Sequence, residues 1–420
     1  MRIGLQTWGT DGDILPFLSL AGTLAERGHV VTIAYTSLDG KDHDALATRM
    51  GVRPVRVPAP IHPGADLFAL TTSHSPLRQL RVLLERYHDP ITDALFQAST
   101  ALCAESDLVV GHVLCPTLTI AAEKAGIPRV ALVLFPQGIR ADGISPLGGD
   151  LGRWANSLMW SVGDALMTRR LFRPAQRLRE GLGLRPWKSL LKEQFRSPVL
   201  NLVAASRTLL PGAIVAEPDL TVCGAFPMPG RNPAWALTPR EQAFLDTGPP
   251  PVFLTFGSCT AFDPEGAFTL LTEAARAAGT RAIVQVDPSI ALEHLRDPHV
   301  LLVHGVPHDE LFPKCALVVH HGGAGTTHAV CRAGRPSIVV EHAYDQGWWG
   351  MQLHRVGAAP RVLHRRSVNA ERLARAIRTV VGDKRYGRAA IQVAEGMRQE
   401  EGPVSAVRMI EALDDRVRKG

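Results

Sequence analysis

The sequence predicts an α/β fold made of two tandem doubly wound domains. Three observations point there. Short apolar runs alternate with amphipathic segments through the first half, the alternation stops at a proline cluster, and a second alternating series then begins. At 420 residues the chain is also too long for one ordinary core.

In the first series RIGLQTW, HVVTIAY, VRPVRVP, DLVVGHV and PRVALVLF read as strands, with LPFLSLAGTLAERG and HDPITDALFQASTALCAE as helices between them. Strands separated by helices imply parallel βαβ units. Gly28 follows the first helix as the residue that ends it, and HVVTIAY starts at once. Residues 153–196 break the pattern. They hold ten Arg or Lys against three Asp or Glu, interleaved with Trp154, Met159, Trp160, Phe172, Trp187 and Phe195. Inserted helices are predicted here, and two readings of their surface stand. One is a packed excursion with a solvated basic face; the other is a surface that lies on an anionic membrane or grips an apolar acceptor.

Around GAFPMPGRNPAWALTPREQ prolines cluster and periodicity is lost, which marks a linker. The second series runs PPVFLTFGS, DPEGAFTLLTEAARAAG, RAIVQV, HVLLVHG, a short DELFPKC helix, ALVVHHGG, THAVCRAG and PSIVVEH, then helices near QGWWGMQLHRVG and AERLARAIRTVVG. The predicted layout is a first domain over 1–224, a linker over 225–240, a second domain over 241–385, and a helical segment over 386–420 expected to pack back on the first domain. Doubly wound sheets bind at the carboxyl ends of their strands, so two such sheets predict a cleft with one ligand from each side.

Composition excludes several classes. With 45% hydrophobic and 20% charged residues and no low-complexity run, the chain is neither fibrous nor disordered. MRIGLQTWG has no basic segment ahead of a long apolar one, so no signal peptide is read, and no apolar run approaches membrane-spanning length. A cytoplasmic protein is expected, with peripheral contact at the inner membrane face as the variant of that reading. The net charge of +6 is modest for this length and gives no reason to expect nucleic acid. Cys103, Cys115, Cys223, Cys259, Cys315 and Cys331 show no CxxC pair or metal-ligand spacing, which predicts reduced, structural thiols.

Two glycine-rich strand-to-helix turns carry the chemistry. The first, TWGTDGDILPF, has the shape of a phosphate loop but holds Asp11 and Asp13 and no Lys or Arg. By position alone Asp13 is either the cap of the following helix or a base at a domain edge. The second, ALVVHHGGAGTTHAV, carries no acid. Its three glycines admit a close ligand, and the helix start, Thr326, Thr327 and His321 can donate to phosphate oxygens. The lysine of GxxxxGK[ST] is missing, which excludes an NTPase of that type. After PSIVVEH, Asp345 and Gln346 offer acceptors and an amide at the same sheet edge, a grip suited to sugar hydroxyls.

At this point the residues carry a resemblance. HHGGAGTTHAVCRAGRPSIVVEHAYDQGWWGMQLHRVGAAP, FLDTGPPPVFLTFGS, HGVPHDELFPKCALVVHHGG and GTDGDILPFLSLAGTLAERGHVV resemble the large inverting family of nucleotide-sugar glycosyltransferases of the GT-B fold, two Rossmann-like domains facing a cleft. The likeness is strongest to sterol glucosyltransferases and actinobacterial antibiotic glycosyltransferases. It is strong over 240–380 and the first 35 residues and thin between 60 and 235. The resemblance implies that Ser258, His321, Gly323, Gly325 and Thr326 hold the donor diphosphate, that Val306 meets the base through main chain, and that Asp345 and Gln346 bind the donor hexose. It implies Asp13 as the general base, with His112 as second choice. It implies a UDP- or dTDP-sugar as co-substrate, no metal or other cofactor, and an apolar acceptor such as a sterol, a polyketide antibiotic or a lipid. A monomer or weak dimer is expected. The pattern departs from plant members, whose uracil-stacking tryptophan and ribose-binding glutamate correspond to Gly305 and Ala329 here. Trp348 and Trp349 read as core or wall rather than as a catalytic platform.

Two other classes fit the same layout: a nucleotide-sugar epimerase, which needs no acceptor, and a non-catalytic helper subunit. The joint presence of Asp13, His321, Asp345 and Gln346 argues against the helper.

Overall fold

A computed structural model describes residues 1–59, 76–141, 143–146, 149–227, 236–291 and 297–419. These fall into two compact units, one of 1–59, 76–227 and 400–419, the other of 236–399. The centre of the proline-rich linker (228–235) lies outside the described residues.

The first unit is a seven-stranded sheet, β1 Arg2–Gly9, β2 Val30–Ser37, β3 Arg53–Arg56, β4 Leu108–His112, β5 Arg129–Val133, β6 Leu200–Val203 and β7 Thr221–Val222, in the order β3-β2-β1-β4-β5-β6-β7. Every pairing is parallel, with Ile3 opposite both Val31 and Leu108. All of β1 except Arg2 is buried, which is why RIGLQTWG reads as a continuous rather than alternating strand: helices cover both faces. Helix α1 (Asp11–Glu26) buries Ile14, Phe17, Leu18, Ala21 and Leu24, a helical repeat that lays one face on the sheet. Past the helix Thr92–Glu105, the helices that bear on the site are α2 (Pro116–Ala125), α3 (Arg153–Arg170) and α4 (Arg173–Gly181). The inserted helices predicted over 153–196 are present. Buried Arg179 of α4 fixes them: its guanidinium pairs with Glu123 of α2 at 2.6 Å, donates to the Arg185 carbonyl and lies over the Trp187 ring. Strands β6 and β7 were not among the sequence-based strands.

The second unit is a parallel sheet of six strands, β8 Val252–Leu254, β9 Ala282–Gln285, β10 Val300–Val303, β11 Leu317–His320, β12 Ser337–Glu341 and β13 Leu363–His364, ordered β10-β9-β8-β11-β12-β13. Successive side chains of β8 take opposite faces: Val252 and Leu254 pack with Leu271, Val319 and Ile377, and Phe253 packs with Phe312, Val318 and Val330. Helices α5 (Ala324–Arg332), α6 (Gln346–Arg355) and α7 (Lys384–Met397) belong here, and α7 packs on α5. The chain end divides at residue 400. Helix α8 (Pro403–Lys419) lies in the first unit, where Ala406, Val407 and Ile410 join the α1 cluster and Glu411 pairs with Arg27 at 2.9 Å.

Both sheets reverse their strand order once, between β1 and β4 in the first unit and between β8 and β11 in the second. These are the positions at which doubly wound sheets open to ligands, and both glycine turns stand there. All six cysteines are free and buried. Among the described residues no helix is long and apolar enough to cross a membrane.

Candidate active site

In the first unit the turn after β1 enters α1 through Thr10, whose backbone is extended and whose carbonyl accepts the Asp13 and Ile14 N–H groups. Thr10, not Asp13, is the N-cap. Asp13 is the third helical residue of a capping box, and its Oδ2 accepts the Thr10 N–H at 3.0 Å. That arrangement uses one carboxylate oxygen. The other, Oδ1, faces Nε2 of His112 at 3.7 Å. His112 ends β4, so the β1–β4 pairing is what brings the two together. The imidazole is buried between Phe17 and Phe135, with ring centroids 6.0 and 5.9 Å away, and burial pushes its pKa down to about 3. Its Nδ1 accepts the Leu114 N–H at 3.1 Å, so the neutral ring carries its proton on Nε2, towards Asp13. That Nε2 makes no hydrogen bond in the described structure.

Asp11, the other acid of the turn, is committed elsewhere. It pairs with Lys41 and with His43 Nε2 at 3.4 Å. Burial raises its carboxyl, but hydrogen bonds from His43 and Lys41 outweigh burial and hold it below its ordinary range. The turn therefore presents one acid with a partly exposed side chain beside a neutral imidazole, and a second acid neutralised in place.

In the second unit three adjacent loops meet. After β8, Gly257 has φ +54, and a β-carbon there would lie 2.7 Å from His321 Cε1. One on Gly323 would run into Nε2 of the same ring. The imidazole is thus held between two glycines that nothing larger can replace without a shift. It is buried, its pKa is pushed down to about 4 by burial, and its Nδ1 has no hydrogen-bond partner. Gly323 caps α5, and Thr327 N–H is the first to find a helical carbonyl, that of Gly323. The N–H groups of Ala324, Gly325 and Thr326 precede it at the partly exposed start of α5, where the helix dipole favours an anion. Ser258 is exposed on the loop after β8, directly after the Gly257 that abuts the His321 ring.

The loop after β12 completes the cluster. Tyr344 holds φ 61, a left-handed conformation uncommon for a tyrosine, directly before Asp345. The Trp349 indole donates to Asp345 Oδ2 at 2.8 Å, and burial pushes the Asp345 carboxyl up. Gln346 is buried and makes local bonds within this site. Its Oε1 accepts the His342 and Ala343 N–H groups at 2.8 and 3.1 Å, and its Nε2 reaches Cys259 Sγ at 3.5 Å. It braces this loop against the β8 loop. Trp348 and Trp349 are buried and in edge contact. Val306, after β10, is half-buried against the cluster of Phe253 and Phe312. His308, just beyond, is stacked on Phe312 at 4.3 Å. Among the described residues no group of three or more His, Cys, Asp or Glu is placed to hold a metal ion.

Sequence reasoning missed the Asp13–His112 apposition, the Gly257–His321–Gly323 wedge, and the Lys41 and His43 partners of Asp11. Only the last had a local signal, the KDHD run after β2.

The model for the C-terminal domain of erythromycin biosynthesis protein CIII-like proteins matches residues 273–413. Glycosyltransferase GtfE of Amycolatopsis orientalis is 30% identical over 366 residues, 85% of this chain and 85% of that protein. The chain belongs to this glycosyltransferase family. As a glycosyltransferase it is a sugar-transferring enzyme. The O-mycaminosyltylonolide 6-deoxyallosyltransferase of Streptomyces fradiae is 29% identical, across 98% of this glycosyltransferase and 97% of the relative. The calicheamicin glycosyltransferase CalG4 has the same two-sheet fold with TM-score 0.71 at 19% identity, over 99% of both chains. The spinosyn rhamnosyltransferase SpnG, solved with thymidine diphosphate, gives TM-score 0.62 at 19% identity over 98% of this chain and 100% of its own. The fold is therefore GT-B, two Rossmann-like domains.

Proposed function

We propose that this glycosyltransferase moves a hexose, with inversion, from a UDP- or dTDP-sugar to a hydroxyl of an apolar small-molecule or lipid acceptor. The observation that carries the reading is the division of labour between the turns. The second leaves its helix N–H groups at a partly exposed helix start next to an imidazole wedged between Gly257 and Gly323; the first offers a carboxylate. Relatives that act on a macrolide or were solved with a nucleoside diphosphate support the two ligand classes.

In this reading the diphosphate lies on the α5 start, held by the Gly323–Thr326 backbone, the Thr326 and Ser258 hydroxyls and His321. Hydrogen bonds of this charge-assisted kind are worth roughly 1.5–3 kcal/mol each. Asp345 takes hexose hydroxyls through its second oxygen, and Gln346 keeps the Asp345 loop in place while presenting its amide. The nucleoside meets the main chain near Val306. Asp13 removes the proton from the acceptor hydroxyl as that oxygen bonds the anomeric carbon and the bond to the diphosphate oxygen breaks. The proton then passes to solvent, and the negative charge leaves on the nucleoside diphosphate. A base so placed contributes about 10²–10⁴-fold. His112 is the weaker candidate for that base, because its Nδ1 lone pair already accepts the Leu114 N–H and burial lowers its basicity. Its Nε2–H faces the Asp13 oxygen at 3.7 Å. No metal is required in this reading.

Donor-dependent release of nucleoside diphosphate, measured with UDP- and dTDP-hexoses and a panel of sterols, macrolides and hydroxy-lipids, tests it. Release that rises with one acceptor and yields the glycoside by mass spectrometry supports the reading. Donor converted to an isomeric nucleotide sugar without acceptor would establish an epimerase instead.

A further inference from the structure

Helix α3 is folded and docked on one side only. Asn156 and Trp160 are buried, the Trp160 indole donates to the Ile144 carbonyl at 2.8 Å, and Asp164 is tied inward by the Ser189 hydroxyl and the Leu191 N–H. On the opposite side Trp154, Leu158 and Val162 are 89%, 65% and 50% exposed, and Leu151, just ahead of the helix, is 57% exposed. At 100° per residue, Trp154, Leu158, Val162 and Ala165 share one face and form an apolar stripe roughly 16 Å long. Exposed single apolar side chains are ordinary; a Trp-Leu-Val row on one helix face is not.

The charge around this row is mainly positive; the acid at its start is Asp150, exposed just ahead of Leu151, whose carboxylate accepts the Gly152 N–H and the Asn156 amide. Arg153 precedes it, Arg169 continues the same face beyond Ala165, and Arg170 and Arg173 follow; all four are exposed and none pairs with a described acid. The acid of α3, Asp164, is turned away. A second copy of the chain would set these arginines against each other, and one helix face offers less than the roughly 800 Å² per partner that a stable dimer buries. An apolar row with cations at both ends matches the interface of an acidic bilayer, where tryptophan sits at headgroup level and arginine reaches lipid phosphates. Because α3 is already folded, docking requires no further ordering of the chain.

We propose that the outer face of α3 docks on the surface of an anionic lipid bilayer. The face lies in the first unit and uses no residue assigned to sugar transfer, so it stands independently of the proposed reaction.

The test is co-sedimentation of the full chain with vesicles of phosphatidylcholine alone and of phosphatidylcholine with phosphatidylglycerol. Binding is expected to the second and to fall with added salt. The triple variant Trp154→Ser, Leu158→Ser, Val162→Ser is expected to lower the bound fraction about tenfold or more at an unchanged melting temperature. The variant Arg153→Gln, Arg169→Gln, Arg170→Gln is expected to bind less and to lose most of the salt dependence. Three results overturn the proposal: no binding by the parent chain, equal binding by parent and triple variant, or a parent dimer that the triple variant makes monomeric.

Discussion

The turns after β1 and β11 share one backbone plan, strand to glycine to helix at a strand-order reversal, and differ in what they do with the helix start. After β1 the start is closed from within: Asp13 reaches back to Thr10 N–H, and Asp11 is neutralised by Lys41 and His43. After β11 the cap is Gly323, which has no side chain to offer, so the first N–H groups remain for a ligand. In the proposed reading the anion therefore lies at the second turn and not at the first. Backbone geometry alone does not make a phosphate site; the residues that satisfy the helix start decide it.

Substitutions that cross this division test it, and Asp13→Asn carries the largest expected effect. It keeps an acceptor for Thr10 N–H, so the fold stands, while kcat falls about 10²–10⁴-fold in acceptor-saturated turnover. Gly323→Ala comes next. The added carbon displaces the His321 ring, and nucleoside diphosphate affinity is expected to drop about tenfold or more, with a loss of roughly 1–3 kcal/mol in urea unfolding.

The third contrast is acid sensitivity. Burial pushes His320 and His342 down to about 3 and His308, His321 and His328 to about 4, all in the second unit; in the first unit His112 is the one histidine of the described residues with a resolved depression. The unfolded chain takes up these protons near pH 6.5 and the folded chain does not. The stabilising neutral state is therefore fully present above about 6.5 and is lost as pH falls towards 4 for His308, His321 and His328 and towards 3 for the others, by up to about 1.4 kcal/mol per pH unit for each histidine. Hydrogen exchange at descending pH is expected to show the β11–β12 region opening before the β1–β4 region; simultaneous opening would contradict this. The smallest effect is expected for Asp11→Asn, at most about 1 kcal/mol in stability, with kcat within about threefold, because its pairs with Lys41 and His43 are partly exposed.

Much of this molecule is legible in the sequence, for physical reasons that also mark where legibility ends. HVVTIAY, DLVVGHV, ALVVHHGG and PSIVVEH are continuous apolar runs because parallel strands covered on both faces must be. Strands β7 and β13 have two residues each, too few for any periodicity, and β6 is detached from its neighbours by the inserted helices. HHGGAGTT is local chemistry and reads directly. Asp13 as third residue of a capping box was also readable, since Thr10 stands three residues before it. The partnership of Asp13 with His112 was not, because it exists only once β1 pairs with β4. The bracing role of Gln346 was hidden for a related reason: its bonds to His342 and Ala343 exist only once the loop has closed around it.

The separation of anion binding from proton removal is tested most directly by calorimetric titration of the nucleoside diphosphate into Asp13→Asn and His321→Ala side by side. Asp13→Asn is expected to match the parent Kd within about twofold, while His321→Ala weakens it about tenfold to 100-fold, the range of one charge-assisted hydrogen bond. A Kd that weakens in Asp13→Asn and holds in His321→Ala would contradict the assignment of the two turns.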